Sequence, residues 1–470
     1  MTPVNRIFND LAKAVKFFPK GGLQQRAYWK SLLDLAVAQK ENSIDGKKTE
    51  KETLIIPVIK KLRLERFKSF KNTEIQLSPF TVLLGVNASG KSNIRDAFRF
   101  LRGIWDSVGQ KRSNSFLQWR GTGITFQGSE TFALEVTFLS PPNSEGKQEE
   151  MLYRIEVAPG KTEIPFRLVA ESLIFVENAK SLFDVKYRDD DSTDFLSLEI
   201  GGQKITEAEW RDSDFRAINY VSILLMIGVG NINPIIPPFL RDVCWNILVA
   251  FRGLRFFNLE PDAMRIPSVP GQNNLGDRGE NLSSVLQKIC ENSQRKQALL
   301  QSLQKLTPMG ALDFEFPTDF TGKTLVTLVE SNGQKTSAIN ASDGTLRFLA
   351  IMAALLYPEK APFYFFEEIE TGIHPTRLHL LIQLIEKCIN KGDRQVVATT
   401  HSPQLLRLLS PESLESASLI YRLEERSESR IIRILDIPTA KTVFEENDLA
   451  ELYESAWFEN VMEFMSDEEK

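Results

Sequence analysis

Apolar residues along this chain follow two different periods, and the two alternate along much of the sequence. Short apolar, β-prone runs are bounded by polar residues, whereas longer segments repeat an apolar residue every three or four positions. The short runs are 80–84, 362–366 and 395–400, and the segments with helical spacing are 93–101, 345–357 and 378–389. Strands that alternate with helices in this way predict an α/β fold with a parallel sheet.

The remaining segments predict further elements and a division of the chain into four parts. Strands are expected at 58–67, 72–77, 131–138, 152–157, 173–176 and 325–330, and helices at 217–226, 239–251 and 282–306. Prolines between 233 and 238 interrupt any heptad pattern, so we expect a compact helical region and not a coiled-coil arm. The predicted parts are a helical N-terminal extension with a linker (1–56), an N-terminal lobe (57–178), a mainly helical insertion (179–320) and a C-terminal lobe (321–470).

A glycine-bearing loop follows the first of the short apolar runs. Its sequence, Gly85-Val86-Asn87-Ala88-Ser89-Gly90-Lys91-Ser92, fits the P-loop pattern G-x-x-x-x-G-K-[ST]. Backbone N–H groups of such a loop and the N-terminus of the next helix together attract a phosphate chain. We therefore expect Lys91 to contact the β- and γ-phosphates and Ser92 to offer its hydroxyl to Mg²⁺.

Two carboxylates, Glu367 and Glu368, come directly after the apolar run 362–366. In a parallel sheet, ligands collect at the carboxyl ends of the strands, where the P-loop also lies. Glu367 is predicted to help hold Mg²⁺, and Glu368 to polarise the attacking water or accept its proton. The alternative is that both are solvated acids at the end of a strand.

A histidine, His401, follows the run 395–400 and is placed to reach a γ-phosphate or the attacking water. The chain has two other histidines. His374 lies in the turn after the paired acids, and His379 lies in a predicted helix, where a surface or packing role is expected. Position at the end of a strand is what distinguishes His401 from these two.

A small polar turn, Ala341-Ser342-Asp343-Gly344, opens the apolar helix predicted at 345–357. Its residues are typical of a helix N-cap. The same turn also predicts a second helix N-terminus that is ready to receive an anion. The sequence alone leaves both interpretations open.

Composition excludes several classes of protein. The chain is 42% apolar and 25% charged, which is typical of globular proteins, and no stretch approaches the 18 uninterrupted apolar residues of a membrane span. Its three cysteines are far apart, which argues against a disulfide framework or a zinc site and favours a cytoplasmic protein. Residues 1–40 are basic within a chain of net charge −5, which suits either contact with nucleic acid or a solvated helical face.

Taken in order along the chain, these motifs resemble an ABC-type ATPase of the RecF and structural-maintenance-of-chromosomes class. More narrowly, the chain is similar to the stand-alone bacterial AAA-family ABC ATPases, which are related to the OLD (overcoming-lysogenization-defect) family. The matching stretches are the opening hairpin 62–77, the Walker A loop 85–92, a variant signature motif 342–345, the Walker B region 363–375, the switch-histidine region 399–403, and shorter similarities at 262–265 and 281–286.

The resemblance implies an ATP-hydrolysing enzyme in which two heads associate head-to-tail around two ATP molecules. Each nucleotide would lie between the P-loop of one subunit and the signature helix of the other. The implied catalytic residues are Glu368, His401 and Lys91, and the implied Mg²⁺ ligands are Ser92 and Glu367. The implied ATP contacts are Gly85, Asn87, Ser89, Gly90, Lys91, Ser92 and Asn93 from the P-loop, and Ser342, Asp343 and Gly344 from the signature.

Partners follow from the same resemblance. It suggests action on DNA or on a DNA-linked partner, beside a separately encoded effector protein and in defence against phage. The alternative is an assembly or sensor scaffold that regulates an effector without acting on DNA.

Three positions depart from the pattern of the resembled class. Glu367 stands where many relatives carry Asp, Ile369 replaces the proline that usually follows the catalytic acid, and Asp343 replaces a glycine of transporter signatures. The Q-loop glutamine has two candidates, Gln118 and Gln127.

Overall fold

The computed structural model describes twelve stretches of the chain. They are 57–106, 122–140, 146–160, 166–187, 195–206, 209, 222–229, 236–306, 310–356, 361–389, 394–422 and 427–437. The helical extension predicted at 1–56 lies outside the described residues. The chain divides into two compact units. The first comprises the described residues of Met1–Gln76, Ser92–Gly253 and Ser427–Ser429, and the second those of Leu77–Lys91, Leu254–Arg426 and Arg430–Lys470.

Strands and helices alternate along the described residues, with short 3-10 turns between some of them. The strands are β1 (Val58–Phe67), β2 (Phe70–Gln76), β3 (Phe80–Leu84), β4 (Phe132–Leu139), β5 (Glu150–Pro159), β6 (Phe166–Phe175), β7 (Ser181–Tyr187), β8 (Phe195–Ile200), β9 (Gln203–Lys204), β10 (Leu254–Phe257), β11 (Ala311–Glu315), β12 (Thr327–Glu330), β13 (Lys335–Ser337), β14 (Phe363–Phe366), β15 (Gln395–Thr400), β16 (Ser418–Arg422) and β17 (Ser429–Arg433). The helices are α1 (Lys91–Asp106), α2 (Ile223–Val229), α3 (Pro238–Arg252), α4 (Pro261–Met264), α5 (Leu282–Cys290), α6 (Ser293–Leu306), α7 (Asp343–Leu356), α8 (Pro375–Ile389) and α9 (Pro411–Glu415).

The first unit is built on an eight-stranded antiparallel sheet in the order β2-β1-β4-β5-β6-β7-β8-β9. Its strands alternate buried and partly exposed residues, as one-sided burial requires. On the buried side, Phe100 of α1 packs against Phe132 and Phe166, with ring centroids 5.3 and 5.4 Å apart. Phe251 of α3 packs against Phe138 at 5.7 Å. These aromatic contacts hold both helices on the sheet.

The second unit is built on a six-stranded sheet in the order β10-β14-β15-β3-β16-β17. The pairs from β10 to β16 are parallel, and every residue of β3, β14 and β15 is buried. A separate antiparallel sheet, β11-β12-β13, belongs to the same unit. Pairing of Phe366 with Ala398, and of Thr400 with Leu84, brings the ends of β14, β15 and β3 to one edge. The loops that follow these three strands therefore share that edge.

The strands predicted at 80–84, 362–366 and 395–400 are confirmed as β3, β14 and β15. The expected helix at 282–306 is instead two helices, α5 and α6. The cause is local, because the side chain of Asn292 accepts a hydrogen bond from Arg295 N at 3.0 Å and so starts a new helix.

The region 179–320 is less uniformly helical than the sequence suggests. It contains the helices α3, α5 and α6, but also β7 and β8, which extend the first sheet, and β10, which edges the second. The boundary between the two compact units, at Gly253, falls inside it. Within the described ranges, no helix has the length and apolar content that crossing a bilayer requires.

Candidate functional site

The predicted P-loop joins β3 to α1 and is fastened to the neighbouring strand. Gly85 N donates a hydrogen bond to Thr400 O, at the end of β15, over 3.3 Å. Ala88 and Gly90 have φ values of 62° and 119°, in the left-handed region that favours glycine. Such a loop turns its backbone sharply between strand and helix, as a phosphate-binding loop does.

The loop is also closely packed at its start. A Cβ atom built on Gly85 would lie 2.4 Å from Ile420 O and 2.7 Å from Ser89 Oγ, so no other residue fits there. Ser89 Oγ is buried and, in the described part of the chain, has no hydrogen-bond partner. A buried hydroxyl without a partner is costly unless a ligand supplies one, and phosphate oxygens fit this need.

Lys91 folds back over this loop. Its Nζ atom donates to Gly85 O and, at 2.8 Å, to Val86 O, and it lies 3.4 Å from Nδ1 of His401. Burial lowers the pKa of Lys91 to about 8, and the negative charges of Glu368 and Glu370 only partly oppose this shift. The ammonium group is therefore short of negative partners, which is the situation that a phosphate chain would relieve.

The paired acids follow β14 as predicted. Glu367 N donates to Phe257 O at 2.8 Å, and Glu368 N donates to Thr399 Oγ1 at 3.0 Å. Glu368 has a φ of 47°, so its backbone is held in a strained conformation by these neighbours. Ile369 N donates to Thr399 O at 3.2 Å, a bond that the proline usual at this position does not make.

His401 lies between Lys91 and Glu368. Its Nε2 atom is 3.4 Å from Glu368 Oε1, on the opposite side of the ring from the contact with Lys91. Its backbone N donates to Glu370 Oε1 at 2.8 Å, while Glu370 Oε2 is buried and has no hydrogen-bond partner among the residues that the structure describes. The structure thus brings together the three residues predicted as catalytic, Lys91, Glu368 and His401.

The predicted signature turn opens α7. Ser342 caps this helix, because its Oγ accepts a hydrogen bond from Thr345 N at 3.2 Å. The structure therefore has the N-cap that the sequence predicted. A Cβ atom built on Gly344 would lie 2.2 Å from Gly372 O, in the loop that follows the paired acids. Glycine at 344 therefore allows the start of the signature helix to touch the loop of Glu368 within one chain.

Three more residues in or next to the P-loop were predicted to contact ATP or Mg²⁺. Asn87 and Ser92 are exposed, and Asn93 donates from Nδ2 to Ser69 Oγ at 2.7 Å inside the first unit. Of the Q-loop candidates, Gln118 lies outside the described residues, and Gln127 donates to Ser427 Oγ. Neither glutamine is assigned a role.

Three residues of the cluster lie in or beside the matched motifs, but no role of their own was predicted for them from the sequence. Thr399 fixes Glu368, Glu370 fixes His401, and Arg347 of α7 lies within electrostatic reach of both acids. Burial lowers the pKa of Arg347, and the charge of Glu368 opposes that effect. Glu370 follows the paired acids by two residues, so only its position in the Walker B resemblance could have singled it out.

The two predicted Mg²⁺ ligands are each of the right chemical type. Ser92 offers a hydroxyl and Glu367 a carboxylate, and hard cations prefer such oxygen ligands. Among the described residues, no group of three or more His, Cys, Asp or Glu side chains could hold a metal ion by itself.

Solved head domains of SMC proteins are similar to this chain. The head domain from Pyrococcus furiosus, with an extended coiled coil and bound to the C-terminal domain of ScpA, is 16% identical; the match covers 83% of this chain and 99% of that one, with a TM-score of 0.44. The head domain from Thermotoga maritima is 12% identical, with coverage of 80% and 98% and a TM-score of 0.38. No curated protein matches the chain.

A family described as "AAA domain, putative AbiEii toxin, Type IV TA system" matches residues 80–220 and 248–407, which is more than half of the chain. The matched residues include the P-loop, the signature turn, the paired acids and His401. The match confirms the predicted AAA-family relationship and supports, in general terms, an ATPase-type domain that binds nucleotide. The chain is a member of this AAA-domain family.

Proposed function

We propose that this protein binds and hydrolyses ATP with Mg²⁺, and that two copies associate head-to-tail with nucleotide between them. The observation that carries the proposal is the convergence of Lys91, His401 and Glu368 beyond one edge of the second sheet. His401 is 3.4 Å from each of the other two. These groups provide a cation for phosphate, an imidazole and a carboxylate at one place.

Each group has a distinct chemical task in this proposal. Lys91 balances the charge on the β- and γ-phosphates, and His401 contacts the γ-phosphate. Glu368, which is half exposed, polarises the attacking water. Ser92 and Glu367 hold Mg²⁺, which when bound neutralises the charge that develops on the phosphates.

A second copy is proposed on the family resemblance, and the charge at the site supports it. Among the described residues of this cluster, the carboxylates Glu367, Glu368 and Glu370 outnumber the cations Lys91 and Arg347. A triphosphate adds more negative charge, and phosphoryl transfer depends on preorganised positive groups around it. The signature helix of a second copy would bring the positive end of its dipole.

Replacement of Glu368 by glutamine tests this proposal. We expect E368Q to bind ATP normally but to hydrolyse it about 10²- to 10⁴-fold more slowly, because the amide cannot act as a base. Because the nucleotide stays intact, we also expect this variant to accumulate as an ATP-dependent dimer. Steady-state phosphate release and light scattering after size-exclusion chromatography measure the two effects.

The matched control is Glu412→Gln, an exposed glutamate in the first turn of α9. We expect it to hydrolyse ATP at the wild-type rate and to remain in the wild-type monomer–dimer equilibrium. A wild-type hydrolysis rate in E368Q would contradict the role of Glu368. Absence of any dimer in E368Q with ATP would contradict the two-copy arrangement.

The partner is proposed at a coarser level. The family description includes a toxin of a type IV toxin–antitoxin system, which supports a separately encoded protein partner. We further propose, on the resemblance, that the ATPase acts on DNA or a DNA-linked partner in phage defence. We also propose that it works in the cytoplasm, because its few, widely separated cysteines suit a reducing compartment.

A competing function is an assembly scaffold that does not act on DNA. Measuring hydrolysis with added DNA at about 50 and 200 mM salt separates the two, since contact with phosphates makes binding fall steeply with salt. Stimulation that is lost at the higher salt supports action on DNA. If neither hydrolysis nor assembly changes with added DNA or with the salt concentration, the result supports the scaffold.

A further inference from the structure

An arginine that the proposed mechanism does not use is bonded to the signature turn. Arg265 follows the short helix α4 in the second unit. Its Nη2 atom donates to Asp343 Oδ1 at 2.6 Å and to Ala341 O at 3.1 Å. Its Nη1 atom donates to Asp262 Oδ1 at 2.8 Å. One guanidinium therefore joins α4 to the first residue of α7 and to the residue before its cap.

The aspartate that it holds is in an unfavourable place for an anion site. Asp343 stands in the first turn of α7, beside Ser342 and Gly344, and its side chain is 62% exposed. A carboxylate there stabilises the helix dipole. It also places a full negative charge where the proposed dimer brings the triphosphate of a second copy, and like charges at close range suppress association.

We propose that Arg265 is a positioning residue that neutralises Asp343 and thereby lets the signature turn receive the nucleotide bound by a second copy. The inference rests on the proposed function, because without a head-to-tail dimer the turn has no nucleotide to meet. Arg265 acts through Asp343 and does not itself contact phosphate. Its bond to Ala341 O additionally fixes the backbone of the turn.

The chemistry of the pair favours arginine in this role. The guanidinium presents several donors in one plane, so it can bond a carboxylate and a carbonyl at the same time, and it is charged at any working pH. A lysine could neutralise Asp343 but could not hold both acceptors in the same geometry. We therefore expect the dimer dissociation constant of Arg265→Lys to lie between those of the unsubstituted chain and of Arg265→Ala.

The test is a set of four proteins, all carrying E368Q so that hydrolysis does not dissolve the dimer. They are the E368Q parent and the same chain with R265A, with D343N, or with both. The dimer dissociation constant in Mg²⁺ and ATP is measured by sedimentation. We expect R265A to weaken dimerisation about tenfold, because it leaves Asp343 uncompensated. We expect the double variant, which no longer carries the uncompensated charge at 343, to return to within about threefold of the parent. D343N alone changes an implied ATP contact, so it serves as the baseline for the double variant.

Rescue of R265A by D343N is the decisive result, since a merely structural arginine would not be replaced by removing its partner. A double variant as weak as R265A would overturn the proposal. So would R265A that dimerises like the parent. Thermal unfolding checks that every variant is folded, and if R265A is not, R265K supplies the comparison.

The matched control is Arg278→Ala, which removes an exposed arginine of the same unit that is paired with Glu260 at 3.2 Å. We expect it to leave the dissociation constant unchanged. If the E368Q parent itself forms no dimer with ATP, the proposed function fails and this inference falls with it. If the parent dimerises but the rescue is absent, this inference alone fails.

Discussion

Lys91 is the residue whose protonation depends most directly on whether phosphate is present. In the free protein, burial lowers its pKa to about 8, and among the described residues its amine contacts loop carbonyls and a neighbouring imidazole. A triphosphate beside the amine would favour the charged form and raise that pKa. The affinity for ATP is therefore expected to fall as the pH rises above 8, where the free lysine loses its proton.

This shift predicts that ATP binding takes up a proton at alkaline pH. Uptake is expected to be small near pH 7 and to approach about one proton near pH 9.5. Calorimetric titration in buffers of different ionisation enthalpy measures it. The matched variant is Lys91→Arg, because arginine stays charged in this range and should show no such rise. Equal proton uptake in the two proteins would contradict the assignment.

The same shift has a consequence for folding. Between pH 8 and 10.5 the unfolded chain keeps the proton on Lys91 while the folded chain has lost it. The unfolded state then binds more protons, so the contribution of Lys91 to the free energy of unfolding rises with pH in this window. Below pH 8 the buried charge costs stability, as residues that serve a ligand often do.

Gly344 provides a second test at the scale of one residue. A methyl group there would meet Gly372 O at 2.2 Å, and a backbone atom cannot step aside as a flexible side chain can. We expect Gly344→Ala to reduce ATP-dependent dimerisation at least about tenfold while a single chain still binds nucleotide at its own P-loop. Binding of a fluorescent ATP analogue and sedimentation separate the two effects.

Gly123→Ala is the control, because a Cβ atom at Gly123 would meet nothing within 4 Å. It should behave as the wild-type chain in both measurements. Normal dimerisation of Gly344→Ala would show that contact between the signature and the loop of Glu368 is dispensable.

At the scale of elements, the fully buried strands are the ones that the sequence predicted most accurately. Every residue of β3, β14 and β15 is buried, and their short, mostly apolar and β-prone sequences stand out from the polar residues around them. The strand β10 was missed because it has only four residues and the charged Arg255 interrupts its apolar ones. The strands β7 and β8 were missed because apolar and polar residues alternate only weakly in them. They also lie in a region where most segments have helical spacing.

The residues of the site also divide into those that the sequence could predict and those that it could not. Glu367, Glu368 and His401 could be predicted because each stands directly after a buried strand, and parallel strands end at one edge. Thr399 and Glu370 could not, because their contacts depend on how the loop at Glu368 bends back with a φ of 47°. Patterns along the chain locate strand ends, but they do not locate the bonds between loops.

A buried carboxylate holds one element of the first unit in place. Glu171 of β6 is fully buried and accepts hydrogen bonds from Ile223 N at 2.8 Å, Leu224 N at 3.0 Å and Ser222 Oγ at 2.6 Å. Tyr153 Oη donates to it at 2.9 Å. Burial raises the pKa of Glu171, while the bonds from Ser222 and the backbone oppose that shift. One side chain thus satisfies the first N–H groups of α2.

We expect Glu171→Gln to lower the free energy of unfolding by about 2–4 kcal/mol, because an amide NH₂ would face donors that need an acceptor. Urea unfolding measures the change. The control is Glu177→Gln, which removes an exposed acid paired with Lys147 at 3.0 Å and should change the free energy of unfolding far less than Glu171→Gln does. Equal effects of the two variants would show that Glu171 does not anchor α2.

At the scale of the whole molecule, the proposal requires each nucleotide to use two chains. The P-loop as far as Lys91, the acids and His401 lie in one compact unit, together with the signature turn that would serve the second copy. In a symmetric head-to-tail pair, every chain then gives its P-loop to one nucleotide and its signature to the other. Two different defects in two different chains should therefore leave one site whole.

Mixing two inactive variants tests this claim most directly. Lys91→Ala removes the P-loop cation, and Ser342→Arg blocks the signature; each alone should hydrolyse little ATP. An equal mixture should recover about a quarter of wild-type hydrolysis, since half of the dimers are mixed and each keeps one intact site. A mixture no more active than the mean of the two variants, with both folded by circular dichroism, would contradict a site shared between two chains.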